Sequence, residues 1–571
     1  MSKAAVTLEG DYYLHNVRVM LKFVVERYQF LLNESELNYY ETFSSLSDDA
    51  QRLYTRCLMR KGEWFRLNKL QYSEISNREQ AFDELLSVGF SSLGEVSDFP
   101  EILRLFTRTE LIDYFAELPI KTLKRKEMDD YLISLFSSSP ASLQSVERLF
   151  ECPVLKISSN IFDVFRLLFF GNLHQDLTEF VLQDLGIVTY PSYVISDVNL
   201  PIQSRQALTD LFVLHEMSEQ LYDAKDLSDD VLIEFTSRLT SVTPSSSLVK
   251  RRYDRLANRL GREFERNKNY SKAIELYQLS DAIPSNERLI RCLDYMGEYA
   301  LAWQRLQETT LLSSSSSEQH FTRVFGPKLA KKLDVEFLAD KLQVKEEDRI
   351  QLCKVMHSVE LDVANHYLSN NALSFWSENA LMNSLFALTF WEAMFLDIDG
   401  AFYNPFQSQP SDLYEHDFTK RREVVFDRIF SEMQDETLYR KRLLENYTQF
   451  YGQHCRFIHW GCLEQRVEDW FDTQALESCD FVQEHSSVSL FELALNKIPL
   501  SHIAAIVTHI LKDPKEHRSG LPDLIVFDRS GYRLVEVKGP GDRLQNNQKI
   551  WMDFFSKNKV PHQVIRVDYH E

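Results

Sequence analysis

Asp523, Glu536 and Lys538 are the residues in this sequence whose types and spacing suit phosphoryl chemistry. Asp523 lies in Gly520-Leu-Pro-Asp523-Leu-Ile-Val-Phe, and the other two in Tyr532-Arg-Leu-Val-Glu536-Val-Lys538. Both segments read as strands, and the turn residues Asp528–Gly531 between them make an antiparallel pair. Side chains two apart on a strand share a face. Glu536 and Lys538 therefore point together, and Asp523, at the start of the first strand, can face them. Carboxylates converging at a sheet edge suit a hard divalent cation, Mg²⁺ or Mn²⁺, as one or two ions. The Val537 carbonyl, between acid and lysine, is a candidate further ligand. Lys538 would position or activate an attacking water and offset phosphate charge. The bland alternative is an exposed strand of alternating charge; the upstream RSGLPD and the helix that follows weigh against it.

Two acids compete to complete such a site. The apolar stretch 376–398 reads as one long helix carrying Glu378 and Glu392. On a 100° step, Leu381, Met382, Leu385 and Leu396 fall within about 60° of Glu378. Glu392 lies on the same stripe, so periodicity leaves both open. A buried acid there is costly unless paired or metal-bound. After Lys538, the glycines of KGPGDRL form a loop from which Asp542, Arg543 and Gln548 could reach the site. Gln548 reads either as a partner of the site or of DNA, or as a surface glutamine.

The elements that must hold these residues are mostly helical. The chain has 571 residues but only 16 Gly and 16 Pro, too few for a strand-and-turn architecture. The net charge of −21 excludes a uniformly basic nucleic-acid coat. Local basic stretches survive that exclusion, because phosphates respond to the nearby field. A helix is expected over Arg52–Lys69, with Arg52, Arg56, Arg60, Lys61, Arg66 and Lys69 against the single acid Glu63. KRRYDRLANRLGREFERNK, from Lys250 to Lys268, is a second basic helix, with Arg251, Arg252, Arg255 and Arg259. Both are candidate phosphate-tracking surfaces or solvated faces. IKTLKRKEMDDY gathers Lys121, Lys124, Arg125 and Lys126 as a further candidate contact.

NYSKAIELYQL at 269 superposes on EYALAWQRLQE at 298, matching Tyr270 with Tyr299 and Ala273 with Ala302. A small residue recurring where helices cross suggests a helical-hairpin repeat. The serine run Ser313–Ser317 reads as a loop tip, and residues 327–370 as continuing helix. The seven cysteines show no CxxC spacing, so a reducing compartment is expected. That means cytoplasmic and nucleoid-associated if the source is microbial, nuclear if eukaryotic. Leu381–Ile398 is expected to be a buried core helix rather than a membrane span. His454, Cys455, His459 and Cys462 crowd together but read as packing rather than a zinc site. No nucleotide-binding loop occurs, so ATP is not an expected partner.

The segments SENALMNSLFALTFWEAMF, PSDLY, RSGLPDLIVF and LVEVKGPGDRLQNNQKIW resemble the Fanconi-anaemia-associated nuclease family, whose catalytic module is the virus-type replication–repair nuclease (VRR-Nuc) domain of the PD-(D/E)xK superfamily. LYTRCLMRKGEWFRLNKLQY is similar to that family's N-terminal DNA-binding region. The resemblance implies Glu378, Asp523, Glu536 and the Val537 main chain as metal ligands and Lys538 as the catalytic lysine. It selects Glu378 over Glu392. It implies branched or flapped DNA as substrate, 5′-flap endonuclease and 5′-to-3′ exonuclease activity, and a role in interstrand crosslink repair. The expected organisation is a helical DNA-binding region (1–75), a SAP-like module with helical linker (76–245), tetratricopeptide-like helices (246–370) and an α/β nuclease domain (371–571). Animal members carry an N-terminal ubiquitin-binding zinc finger with no counterpart here, so ubiquitin-dependent partners are not expected. A junction-resolving or restriction-type endonuclease shares the motif, and a non-catalytic DNA-binding scaffold is the remaining alternative.

Overall fold

The computed structural model describes residues 11–570 except 139–145, 147–148, 150, 176–179, 181–182, 184, 225–226, 314, 338–341, 345–346, 355–357 and 472–479. The chain divides into two compact units, Met1–Val188 with Gln203–Arg205, and Thr189–Ile202 with Gln206–Glu571.

In the first unit, helices Tyr12–Tyr28, Glu34–Ser45 and Asp48–Leu58 open the chain. Asn33 caps the second through a capping box with Glu36, and Ser47 caps the third. The third helix ends at Leu58, so the helix expected over Arg52–Lys69 is cut short. Gly62 takes a left-handed φ of +90°. Beyond it Trp64–Arg66 forms strand β1, followed by a single 3₁₀ turn, Leu67–Lys69. The aromatic pair Trp64 and Phe65 favours a strand. β1 pairs antiparallel with β3 (Val154–Ile157), which pairs on its other edge with β2 (Ser91–Leu93). Of this small sheet, β1 lies in the stretch expected to be helix, and its partners come from segments distant in the chain.

The second unit contains successive helices Ser247–Arg266, Tyr270–Gln278, Ser285–Met296, Tyr299–Leu312 and Ser316–Leu333. Ala273 and Ala302 are wholly buried at matching places in their helices. Gly261 lies where the first two helices cross: a Cβ there would stand 2.8 Å from the Tyr277 ring. Ser316 and Ser317, expected in a loop tip, begin the fifth helix. That helix ends at Leu333 and helix Val359–Ser369 follows later, so the helical reading of 327–370 fails at Asp348–Leu352, which is a strand.

The same unit carries a five-stranded mixed sheet in the order β4-β8-β7-β6-β5. β4 (Asp348–Leu352) runs parallel to β8 (His562–Tyr569), and β8 parallel to β7 (Gly531–Lys538). β7 pairs antiparallel with β6 (Leu524–Asp528), and β6 with β5 (Leu373–Trp376). The hairpin turn is closed by Asp528, whose Oδ1 accepts from the Ser530 amide at 2.7 Å. Leu524, Val526, Val535, Val537, Ile565 and Val567 form one apolar cluster with Val363 and Ala364 of helix Val359–Ser369. Because β4 and that helix pack with this sheet, the sheet-containing fold takes in residues before 371, where the α/β domain was expected to begin.

The stretch 376–398 is not one helix. It is the end of β5, a turn at Ser377–Ala380, and helix Leu381–Met394, which kinks at Phe390 (φ −107°, ψ 15°). Every residue of this helix except Glu392 is buried. Ser384 and Thr389 return their hydroxyls to the carbonyls one turn back. Its apolar composition is that of a core helix, and no single helix among the described residues is long and apolar enough to cross a membrane.

Candidate active site

The β6–β7 hairpin brings the three residues together as the two-residue period requires. Leu524 stands opposite Val535, so Asp523, one residue before β6, meets Glu536 and Val537 across the hairpin. Asp523 Oδ2 accepts the Val537 amide at 2.8 Å. Glu536 is fully enclosed. Its Oε1 receives Lys538 Nζ at 2.7 Å and Gln548 Nε2 at 2.5 Å. Its Oε2 meets no donor.

Glu378 arrives from the turn after β5 rather than from a helix. The amides of Ser377 and Glu378 donate to the Asp523 carbonyl at 2.9 and 3.2 Å, which locks the turn to the start of β6. Asn379 holds this geometry with a φ of +50°, a left-handed conformation that asparagine tolerates better than most residues. Its Nδ2 donates to Glu378 Oε1 at 3.2 Å, and its Oδ1 accepts the Leu521 amide at 3.1 Å. Gly520 precedes them at φ +83°, where a Cβ would stand 2.8 Å from Asn547. Asn547 belongs to helix Asn546–Lys557, which carries Gln548 and is anchored by Trp551 Nε1 on the Ser519 carbonyl at 3.1 Å.

Burial and mutual repulsion dominate the electrostatics. Burial pushes the Asp523 carboxyl up to about 6, against the pull of the Val537 amide and Lys538, with Glu378 and Glu360 raising it further. Burial likewise pushes Glu536 up to about 7, reinforced by Asp523 and Glu378 and opposed by Lys538. Acids held this way are stable either protonated or with a cation among them. The donors are carboxylate and main-chain oxygens, the set a hard divalent ion prefers. The unpartnered Oε2 of Glu536 supplies a lone pair already stripped of water. The residues present therefore fit such an ion.

Glu392, the competitor, stands apart: it is half-exposed and paired with Arg428 and with Arg442 at 3.7 Å. Asp542 closes its own loop, accepting the Gly539 amide at 3.2 Å, and Arg543 is exposed. His459 Nδ1 accepts the Cys462 amide at 2.9 Å, a helix cap, while Cys455 and Cys462 are buried.

The N-terminal basic residues do not form one stripe. Arg52 pairs with Asp11 at 2.9 Å and Asp49 at 3.1 Å. Arg56 pairs with Glu74 at 2.5 Å and lies over the Tyr13 ring. Arg66 is buried on Glu110 at 2.8 Å and Phe106, and Lys69 reaches Glu110 at 3.3 Å. Arg60 and Lys61 are exposed. In helix Ser247–Arg266, Arg251 pairs with Glu415 at 3.2 Å, and Arg259 donates to the Ser218 carbonyl at 3.2 Å. Arg252 is half-buried, whereas Arg255 is exposed. In the third basic cluster, Arg125 pairs with Asp129 at 2.8 Å, and Lys121, Lys124 and Lys126 are exposed.

Sequence reasoning missed Glu360. It sits in the first turn of helix Val359–Ser369, capped by Ser358, and acts on Asp523 electrostatically. An acid after a capping serine is the commonest signal of a helix start, so nothing in the sequence marked it as special.

A mixed sheet with this acid–lysine hairpin and a further acid delivered by the turn after β5 defines a divalent-metal-dependent nuclease of the PD-(D/E)xK class. Residues 437–569 match the VRR-NUC domain, and residues 11–92 match the FAN1 HTH domain. The Fanconi-associated nuclease 1 homolog of Pseudomonas aeruginosa is 32% identical over 98% of this chain and 96% of its own. The chain belongs to the Fanconi-associated nuclease family and is a structure-specific DNA nuclease. The homolog of Arabidopsis thaliana is 26% identical over 95% of this chain, which spans 65% of the plant protein. A crystal structure of paFAN1 bound to DNA with a 2-nucleotide 5′ flap and a gap superposes with a TM-score of 0.83 at 31% identity. That match covers 99% of this chain and 100% of the other.

Proposed function

We propose that this protein cuts DNA at 5′ flaps and trims 5′ to 3′, in repair of damage that includes interstrand crosslinks. Its metal would be Mg²⁺ or Mn²⁺, held by Glu378, Asp523, Glu536 and the Val537 carbonyl. The observation that carries the reading is the enclosed Glu536 carboxylate, with Oε1 shared by Lys538 and Gln548 and Oε2 unpartnered. The similarity to paFAN1, whose crystal structure holds 5′-flap DNA, supports the choice of substrate.

The roles divide by position. A bound divalent ion polarises phosphate oxygens and makes water a stronger nucleophile near neutral pH. Asp523 is oriented by the Val537 amide, so one carboxylate oxygen stays directed at the hairpin while the other faces the site. Gln548 and Lys538 hold Glu536 from one side and keep its second oxygen aimed away from them. Lys538, whose amine is nearly buried, presents a positive charge where the phosphate gathers negative charge during in-line attack. The expected products carry a 5′-phosphate and a 3′-hydroxyl. Arg60, Lys61, Lys121, Lys124, Lys126 and Arg255, all exposed, are the basic residues singled out that support phosphate contacts.

The test is a 5′-flap duplex incubated with Mn²⁺ or EDTA, comparing wild type with Asp523→Ala. Cutting that needs the ion and is abolished in the variant is expected. Ion-dependent cutting retained by Asp523→Ala would mean the site is misassigned, and preference for a four-way junction over a flap would overturn the substrate.

A further inference from the structure

A cavity of about 390 Å³ adjoins the carboxylates, and the chemistry above gives it no task. Glu378 and Glu360 belong to its lining. Four aromatic residues, Phe375 and Trp376 of β5 with Trp470 and Phe471, also line it, beside aliphatic side chains and the polar Ser358 and Gln465. Two of these are exposed where a folded core would hide them, Trp376 at 42% and Trp470 at 61%. Ser374 also lines the cavity; its residue is 4% exposed, and its Oγ has no hydrogen-bond partner. A buried hydroxyl left unmatched is costly until something pairs with it.

The occupant follows from these walls. No lysine or arginine lines the cavity among the described residues, and two acids do, so a phosphate is disfavoured. Aromatic faces beside hydrogen-bonding groups, among them the unmatched Ser374 hydroxyl, suit a flat, neutral, polar-edged ring. The volume falls at the small-ligand end of binding cavities, roughly 300–1,000 Å³. Nuclease substrate held at Glu378 brings such rings within reach, since each scissile phosphate is flanked by nucleotides. We propose that the cavity receives an unpaired nucleobase, that of a nucleotide flanking the scissile phosphate, stacked on Trp470 and Trp376 and hydrogen-bonded by Ser374. This rests on the nuclease reading and adds to it a requirement that the cut strand unstack beside the cut. Base–aromatic stacking tolerates every base, so the device favours frayed or branched DNA without reading sequence. Paired duplex must meet the cost of extruding the base.

The test uses the full chain with Mn²⁺ and 5′-flap duplexes bearing either a normal base or an abasic residue at the nucleotides on each side of the cut. Trp470→Ala should lower kcat/KM about 5- to 150-fold on the normal substrate, the range set by stacking. On the substrate abasic at the relevant position, wild type should already be slow and Trp470→Ala no slower. Trp376→Ala should repeat the pattern, and both lie on exposed side chains that can be truncated without opening the core. In EDTA, 2-aminopurine at that position should change its emission on binding wild type, and Trp470→Ala should remove the change. Equal reductions on both substrates, or no reduction with unchanged emission, would overturn the proposal. Should wild type cut neither substrate, the nuclease reading fails, and the emission readout in EDTA still decides the cavity.

Discussion

Glu536 sits where water cannot reach it, beside another acid, with Oε2 unmatched. Glu536→Gln keeps the shape and removes the charge. Ion-dependent cutting should fall on the order of 10³-fold or more, several kcal/mol of transition-state stabilisation, measured under single turnover. Without metal, the folded chain keeps protons on Asp523 and Glu536 up to about 6 and about 7, whereas the unfolded chain releases them near 3.8 and 4.5. The folded state then binds more protons across that window, so stability should fall as pH rises from about 4 to about 7. Thermal melts in EDTA should show this decline, Glu536→Gln should flatten it, and Mn²⁺ should raise Tm more above pH 7 than below pH 6. Gln548→Ala, which removes a partner of Glu536 without removing an acid, should weaken ion affinity or activity about 10- to 100-fold, read by titrating Mn²⁺. Asp523, Glu536 and Lys538 were legible because strand periodicity alone aligns them. Glu378 was assigned to a helix because a short apolar strand followed by an apolar helix has no period that separates the two. Glu360 carried no distinguishing mark at all.

Gly520 and Asn379, both left-handed, let β5, the turn and helix Asn546–Lys557 meet around Asp523. Gly520→Ala should cost about 1–2 kcal/mol for its backbone conformation, and more for the clash with Asn547. Because that clash pushes on the helix holding Gln548, kcat should suffer more than DNA affinity. Away from the site, Gly261→Ala would press on Tyr277 and should cost about 1–3 kcal/mol of stability, seen in urea melts with cutting by the folded fraction unchanged. The sequence signalled β6, β7 and the helix that follows them, where turn residues punctuate alternating patterns. It did not signal β1 to β5. These strands are short, and their identity is settled by partners distant in the chain, such as Trp64 opposite Lys156 and Leu373 opposite Phe527.

For the molecule as a whole, a net charge of −21 sits beside a polyanionic substrate. Much of the basic content that looked available for DNA is engaged in ion pairs, as with Arg52, Arg56 and Arg66. Binding should therefore lean on a small number of exposed cations, and its salt dependence should be correspondingly shallow. Replacing Arg60 or Lys61 by Gln should shallow the slope of log affinity against log salt by about 0.9 for each phosphate the side chain no longer neutralises. Arg56→Gln should instead lower Tm, because it strands Glu74. Fluorescence anisotropy over a salt series separates the two outcomes.

The two outer strands of the catalytic sheet, β4 and β5, lie far upstream of the three strands they enclose. While the ribosome is still adding residue 500, the acid of the turn and the rim of the sheet exist, but Asp523, Glu536 and Lys538 have yet to be made. A nascent or prematurely terminated chain therefore emerges with the rim of the sheet and no acid–lysine hairpin, and is expected to be inert toward DNA until its last seventy or so residues are made.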